Sequence, residues 1–188
     1  EVPLTNIYRN EIIDASNLPI KLTAYTPCFR REAGSYGKNV RGLNRLHQFD
    51  KVEIVQITHP KESYNKLKEM VNHVENLLNE LELPFRLVKL CAGDLSFSSA
   101  ITYDFEVFSK AQDKWLEVSS VSNFENFQSR RSNIKFKENT KTDFCHTLNG
   151  SALALPRILA AILENNQSED EIRLPKSLIK YTGFETIS

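Results

Sequence analysis

Between Pro60 and Pro84 the apolar positions fall at Tyr64, Leu67, Met70, Val71, Val74, Leu77, Leu78 and Leu81. Steps of three and four put them on one face of a helix, with Lys, Glu and Asn opposite. The pattern predicts an amphipathic helix over 61–83 packed on a sheet. Strand-like text surrounds it: EIVQIT at 53–58, PFRLVKL at 84–90, ITYDFEVF at 101–108 and WLEVSSV at 115–121. The polar link 109–114 contains Gln112-Asp113, so 101–121 reads as an antiparallel hairpin. Asn149-Gly150 reads as punctuation before Ser151. A second helix is predicted from Leu155 to Asn166, with Pro156 in its first turn. Glu1–Leu4 reads as strand or loop, and the tail as an acidic patch, Pro175 and a polar end. Long strands, a hairpin and two separated helices predict an α+β fold built on an antiparallel sheet flanked by helices.

Composition narrows the class. A length of 188 residues suits one large domain, and 40% apolar with 26% charged residues excludes wholesale disorder. The chain opens on Glu1 rather than Met, as expected of a piece of something longer. The sequence has no apolar run long enough for a membrane span and no visible signal peptide, so no membrane partner is expected. Cys28, Cys91 and Cys145 form no CxxC pair, which points to a reducing cytoplasm rather than a disulfide framework or zinc ribbon. Cys145-His146 reads as a packed thiol and its neighbour, not as metal ligands.

Charge is balanced, 24 basic against 24 acidic residues, but unevenly spread. Residues 29–53 carry Arg30, Arg31, Lys38, Arg41, Arg45 and Lys51 against Glu32, Asp50 and Glu53. Residues 128–141 carry Arg130, Arg131, Lys135, Lys137 and Lys141 against Glu138 alone. Arginines beside strands suit an anionic ligand, because a guanidinium fork matches phosphate oxygens in pairs. A solvated basic face is the plainer alternative. Neither GxxxxGK[ST] nor GxGxxG occurs, which excludes the common phosphate loops. Gly34-Ser35-Tyr36-Gly37 instead reads as a hairpin loop, and with Gly42 it predicts that 34–44 is disordered without nucleotide.

Four segments carry a resemblance. They are FRREAGSYGKNVRGLNRLHQFDKVE (29–53), CAGDLSFSSAITYDFE (91–106), EVSSVSNFENFQSRR (117–131) and LNGSALALPRILAAILENNQ (148–167). The first and last resemble motifs 2 and 3 of class II aminoacyl-tRNA synthetases in the form used by seryl-tRNA synthetases. The other two resemble further segments of that family. The resemblance implies a class II catalytic core that activates L-serine with ATP and transfers it to tRNA(Ser). It implies that Arg30, beside Arg31 and Glu32 in FRRE, grips the α-phosphate, and that Glu32 meets the adenine amino group. Arg157 would hold the γ-phosphate of a bent ATP; set among Leu155, Pro156, Ile158 and Leu159, its charge would otherwise be costly. Phe49 would stack on adenine with Arg45 on the other face. Glu117, Val118, Ser119 and Ser120 match the ATP segment, with Glu117 and Ser120 holding Mg²⁺ through ATP.

For serine itself the resemblance implies Glu1, Arg30, Glu53, Asn149 and Ser151, with Glu53 accepting the substrate hydroxyl. Glu1 would end a Thr-x-Glu loop whose threonine is missing. Residues 1–188 therefore read as a partial catalytic domain, without motif 1 or the N-terminal coiled-coil arm that grips tRNA. The full-length protein is expected to be a cytoplasmic homodimer. Two other readings stay open: a synthetase-like adenylate-binding module that charges no tRNA, and a fragment inactive through truncation.

Overall fold

The computed structural model describes residues 1–32 and 45–188. The loop expected to be disordered without nucleotide, 34–44, lies outside the described residues. The centre is a six-stranded, wholly antiparallel sheet of β2 (Ile20–Phe29), β3 (Gln48–Thr58), β4 (Phe85–Lys89), β5 (Ile101–Ser109), β6 (Lys114–Asn123) and β9 (His146–Ala154). Its spatial order is β2-β3-β9-β6-β5-β4. A smaller sheet joins β1 (Ile12–Asp14), β7 (Lys135–Glu138) and β8 (Lys141–Phe144). The helices are α1 (Val2–Asn6), α2 (Ser63–Glu80), α3 (Phe127–Ser132), α4 (Leu155–Asn165) and α5 (Lys176–Thr182). A short pair, β10 (Ile172–Arg173) and β11 (Thr186–Ile187), flanks α5. The chain is α+β, as its periodicities predict. Among the described residues no helix is long and apolar enough to cross a membrane.

The 61–83 periodicity becomes α2, shortened at both ends for local reasons. Pro60 opens a turn of 3₁₀ helix whose first amide is capped by His59 Nδ1. At the far end Glu82 turns left-handed (φ 54°), and the amides of Glu82 and Leu83 return to the carbonyls of Asn79 and Leu78. That is a Schellman close with Glu in the seat glycine usually takes. Leu67, Met70, Val71, Val74 and Leu78 bury the predicted face against Phe105, Val107, Val121 and Leu148. Ile158, Ala161 and Ile162 of α4 complete the same core. A second cluster of Ile13, Ile57, Ile134, Phe136 and Cys145 joins the small sheet to the large one, and Cys145 is a packed thiol within it.

Three local readings are corrected. Val2–Asn6 is helical, with Pro3 in the first turn where its missing amide proton costs nothing. Asn149-Gly150 lies inside β9. Gly150 is there because Val121 of β6 crosses it so closely that a Cβ would sit 3.0 Å from Val121 Cγ2. The tail is not merely polar: it forms α5, tied by the Ser177 hydroxyl to the Glu80 carbonyl.

Candidate active site

Sheet register decides which side chains share a surface. In β3, which runs regularly beside β2, Phe49, Lys51 and Glu53 alternate onto one face. Glu53 stands opposite Ser151 and Val55 opposite Asn149, so both β9 residues join that face. Asn149 in turn faces Ser122, which brings Ser120 to the same surface. Glu117 and Ser120 are three apart and would point to opposite faces of a regular strand. A bulge between Phe105 and Glu106 of β5 corrects this: Phe105 pairs with Ser119, and Glu106 with Glu117, leaving Val118 as the extra residue. Glu117, Ser120, Asp104 and Glu106 therefore share the face.

A second irregularity delivers Arg157. Between the pairs Glu53–Ser151 and Lys51–Ala154, β9 holds one residue more than β3. Buried Leu153 takes up the excess at φ 92°, a backbone conformation costing about 1–3 kcal/mol for a non-glycine residue. The chain leaves this kink directly into α4, and Pro156 and Arg157 in its first turn close one wall of a cavity of about 240 Å³. Arg30, Glu32, Arg45, Leu46, Phe49, Lys51, Glu117, Val118, Ser151 and Ala154 line the rest.

The electrostatics are those of a cleft for an anion with polar ends. The Arg30 guanidinium lies over the Phe49 ring, 5.2 Å from its centroid. Arg45 Nε donates to the Glu32 carboxylate, and this bond holds the Glu32 carboxyl below its ordinary range. Arg157 donates to the Glu117 carbonyl; desolvation lowers its pKa, and the charges of Arg30 and Arg45 act the same way. Glu53 is 3% exposed, and burial pushes its carboxyl up despite the Lys51 ammonium 2.7 Å away. Asn149 is buried, with an amide nitrogen that has no hydrogen-bond partner among the described residues.

Residues 1–166 match the family model of the tRNA synthetase class II core domain (G, H, P, S and T). The chain belongs to that family. A serine–tRNA ligase of Salinibacter ruber is 56% identical over 190 residues, covering 100% of this chain and 44% of the relative. The serine–tRNA ligase of Neisseria gonorrhoeae is 57% identical, covering 99% and 44%. This class II core thus spans less than half the length of the curated relatives it matches. A crystal structure of seryl-tRNA synthetase from Pyrococcus horikoshii complexed with ATP superposes with a TM-score of 0.95 at 45% identity, covering 98% of this chain and 42% of that one. A Giardia lamblia prolyl-tRNA synthetase shares the fold, with a TM-score of 0.81 at 14% identity over 94% of this chain and 35% of that one.

The class II core brings Arg30, Glu32, Arg45, Phe49, Glu117, Val118, Ser151 and Arg157 onto one cavity. Six other expected residues, Glu1, Arg31, Glu53, Ser119, Ser120 and Asn149, do not line it. Ser119 is buried and its hydroxyl donates to the Ser151 carbonyl at 2.5 Å, so it ties β6 to β9 instead of opening to the cleft. Val118 enters the lining only as the bulged residue. Glu53 and Asn149 lie on the same sheet face but deeper. Glu1 sits at the start of α1 and lines a separate cavity with Arg9 and Arg131.

The sequence reading missed two groups. Lys51 pairs with Glu53 and lines the cavity. Asp104, opposite Ser120, has a buried Oδ1 without a hydrogen-bond partner among the described residues. Burial, and behind it the charges of Glu117 and Glu106, raise its carboxyl to about 6, against a hydrogen bond from Ser120. A carboxylate inside the apolar alternation ITYDFEVF was the available signal.

The oxygen donors fit Mg²⁺ held jointly with a nucleotide. Among the described residues no group of three or more His, Cys, Asp or Glu could hold a metal unaided. Mg²⁺ commonly takes one or two carboxylates and completes its shell with phosphate oxygens and water. Glu117 supplies one such carboxylate and Ser120 a hydroxyl, brought to one face by the bulge, with the Asp104 carboxyl opposite Ser120.

Proposed function

We propose that the parent protein activates L-serine with ATP and passes the seryl group to tRNA(Ser). One observation carries this: the sheet face that presents the arginine-walled cavity also presents, deeper in, a buried carboxylate (Glu53) beside Asn149 and Ser151. A carboxylate acceptor next to a phosphate clamp suits a small amino acid with a hydroxyl. The serine carboxylate attacks the α-phosphorus; its new P–O bond forms as the bond to pyrophosphate breaks. Arg30 and Arg157 fix the in-line geometry and neutralise the developing charge. Bound Mg²⁺, held by Glu117 and Ser120, would supply charge neutralisation at the phosphates. The tRNA terminal ribose hydroxyl then attacks the seryl carbonyl and AMP leaves. The 45%-identical ATP complex and the serine–tRNA ligase relatives support this reading. We also infer that the parent works as a cytoplasmic homodimer, with 1–188 as part of its catalytic domain and most tRNA contacts made elsewhere.

The test is amino-acid-dependent ATP–pyrophosphate exchange by the full-length parent over a panel of amino acids. Exchange with serine is expected, falling about 10²–10³-fold in Arg30→Ala, the usual loss for a donor aimed at developing charge. Nucleotide binding without exchange, or exchange with glycine or alanine in place of serine, would show the adenylate-binding module instead.

A further inference from the structure

The second basic segment, 128–141, has no part in the cleft described above, yet its arginine Arg131 stacks on a half-buried ring, Phe127, that in turn meets the exposed ring of Phe97. Arg131 lies over the Phe127 ring, 3.5 Å from guanidinium carbon to centroid, and donates to the Phe127 carbonyl at 3.0 Å. Phe97 meets Phe127 edge-on with centroids 5.7 Å apart, and is itself 91% exposed. A phenylalanine so bare adds little to the core. The stack Phe97–Phe127–Arg131 runs from the 91–100 loop into a cavity of about 310 Å³ between α1 and α3. Arg9 and Arg131 line that cavity and Glu1 is its one carboxylate; Arg130 is exposed on α3. Glu1 is also one of the residues that the resemblance assigns to serine, and it lines this cavity.

Flat rings, a stacked guanidinium and two arginines to one carboxylate in the cavity lining suit single-stranded nucleic acid, whose bases stack and whose phosphates pair with arginine. A membrane surface or an aliphatic protein partner would need a continuous apolar patch instead. We propose that the Phe97–Phe127–Arg131 stack and the α1–α3 cavity hold the single-stranded 3′ end of the RNA acceptor. This rests on the function proposed above and names where its second substrate docks.

The test uses the full-length parent with Phe97→Ala, Arg131→Ala and Arg131→Lys; the last keeps the charge and loses the planar stack. Serine-dependent exchange involves no RNA and is expected to stay within about twofold of wild type. The KM for tRNA(Ser) in aminoacylation is expected to rise about tenfold or more for each lost stack. Each Ala variant should bind intact tRNA(Ser) about as weakly as wild type binds a transcript lacking its single-stranded 3′ nucleotides. Unchanged KM, or undiminished preference for the intact transcript, overturns the proposal. If the parent shows no exchange, the activation reading fails separately. Fluorescence anisotropy with a short oligoribonucleotide then decides the stack alone: weaker binding by the variants supports it, and equal binding, as when a segment outside the 188 residues covers Phe97, overturns it.

Discussion

Glu53 is a carboxylate held where water hardly reaches, and its raised pKa follows from that burial more than from any neighbour. Its ion pair with Lys51 only partly offsets the desolvation. A buried acceptor of this kind discriminates strongly, since an analogue lacking the hydroxyl leaves the site's polar group unmatched. Glu53→Gln is expected to raise the KM for serine roughly 10–100-fold, the worth of a hydrogen bond to a charged group, and to leave ATP affinity within about twofold. Exchange measured against serine and ATP separately checks this; a rise in the ATP constant instead would place Glu53 elsewhere in the reaction. In the role proposed for Glu53 the acceptor works ionised, so kcat/KM for serine should rise with pH along a limb above the ordinary glutamate range. The Gln variant should lack that limb.

Between elements, the contact of β6 with β9 sets the site. Gly150→Ala would put a methyl group 3.0 Å from Val121 Cγ2, and buried Val121 has no room to retreat. A loss of about 1–3 kcal/mol is expected, seen as a lower urea midpoint with unchanged slope. His146 joins the start of β9 to the start of α2 through Nδ1 and the Ser63 hydroxyl, 2.9 Å apart. Burial lowers its pKa; the charges of Glu125 and Asp143 oppose this and that of His59 adds to it. A histidine depressed in the folded state takes up protons first in the unfolded chain. Stability is therefore intact above the ordinary histidine value near 6.5 and falls as pH drops through it towards the lower folded value. Urea midpoints at pH 7.5 and 5.5 should show that fall, and His146→Gln should reduce it. The helices α2 and α4 and the β5–β6 hairpin were legible in the sequence because periodicity reports burial directly. The Val118 bulge and the Leu153 kink were not: each is an extra residue fixed by the partner strand, and no local pattern encodes the partner. Asn149-Gly150 misled for the same reason, since glycine serves a turn and a close strand crossing equally well.

Across the whole molecule, charge balance conceals a local excess. Arg30, Arg45, Lys51 and Arg157 meet on one cavity with Glu32 and Glu117, though the chain sums to zero. The resemblance to the family's motifs made most of these residues legible. It could not show that Ser119 turns away or that Lys51 pairs with Glu53, because both depend on how three strands register. Part of the desolvated arginine's cost arises from the neighbouring guanidiniums, so a polyanion in the cleft should stabilise the fold. At a hundred times its dissociation constant, ATP with Mg²⁺ would add about 2.7 kcal/mol, raising the Tm of the 188-residue chain by roughly 5–10 °C. Arg157→Ala should lose most of that shift at the same ATP concentration. Glu53→Gln should keep it, because Glu53 does not line the arginine-walled cavity. Thermal melts of the three chains with and without ATP check all of this. A folded wild-type chain whose melting point ignores ATP would mean that the cleft takes its working shape only with segments outside these 188 residues.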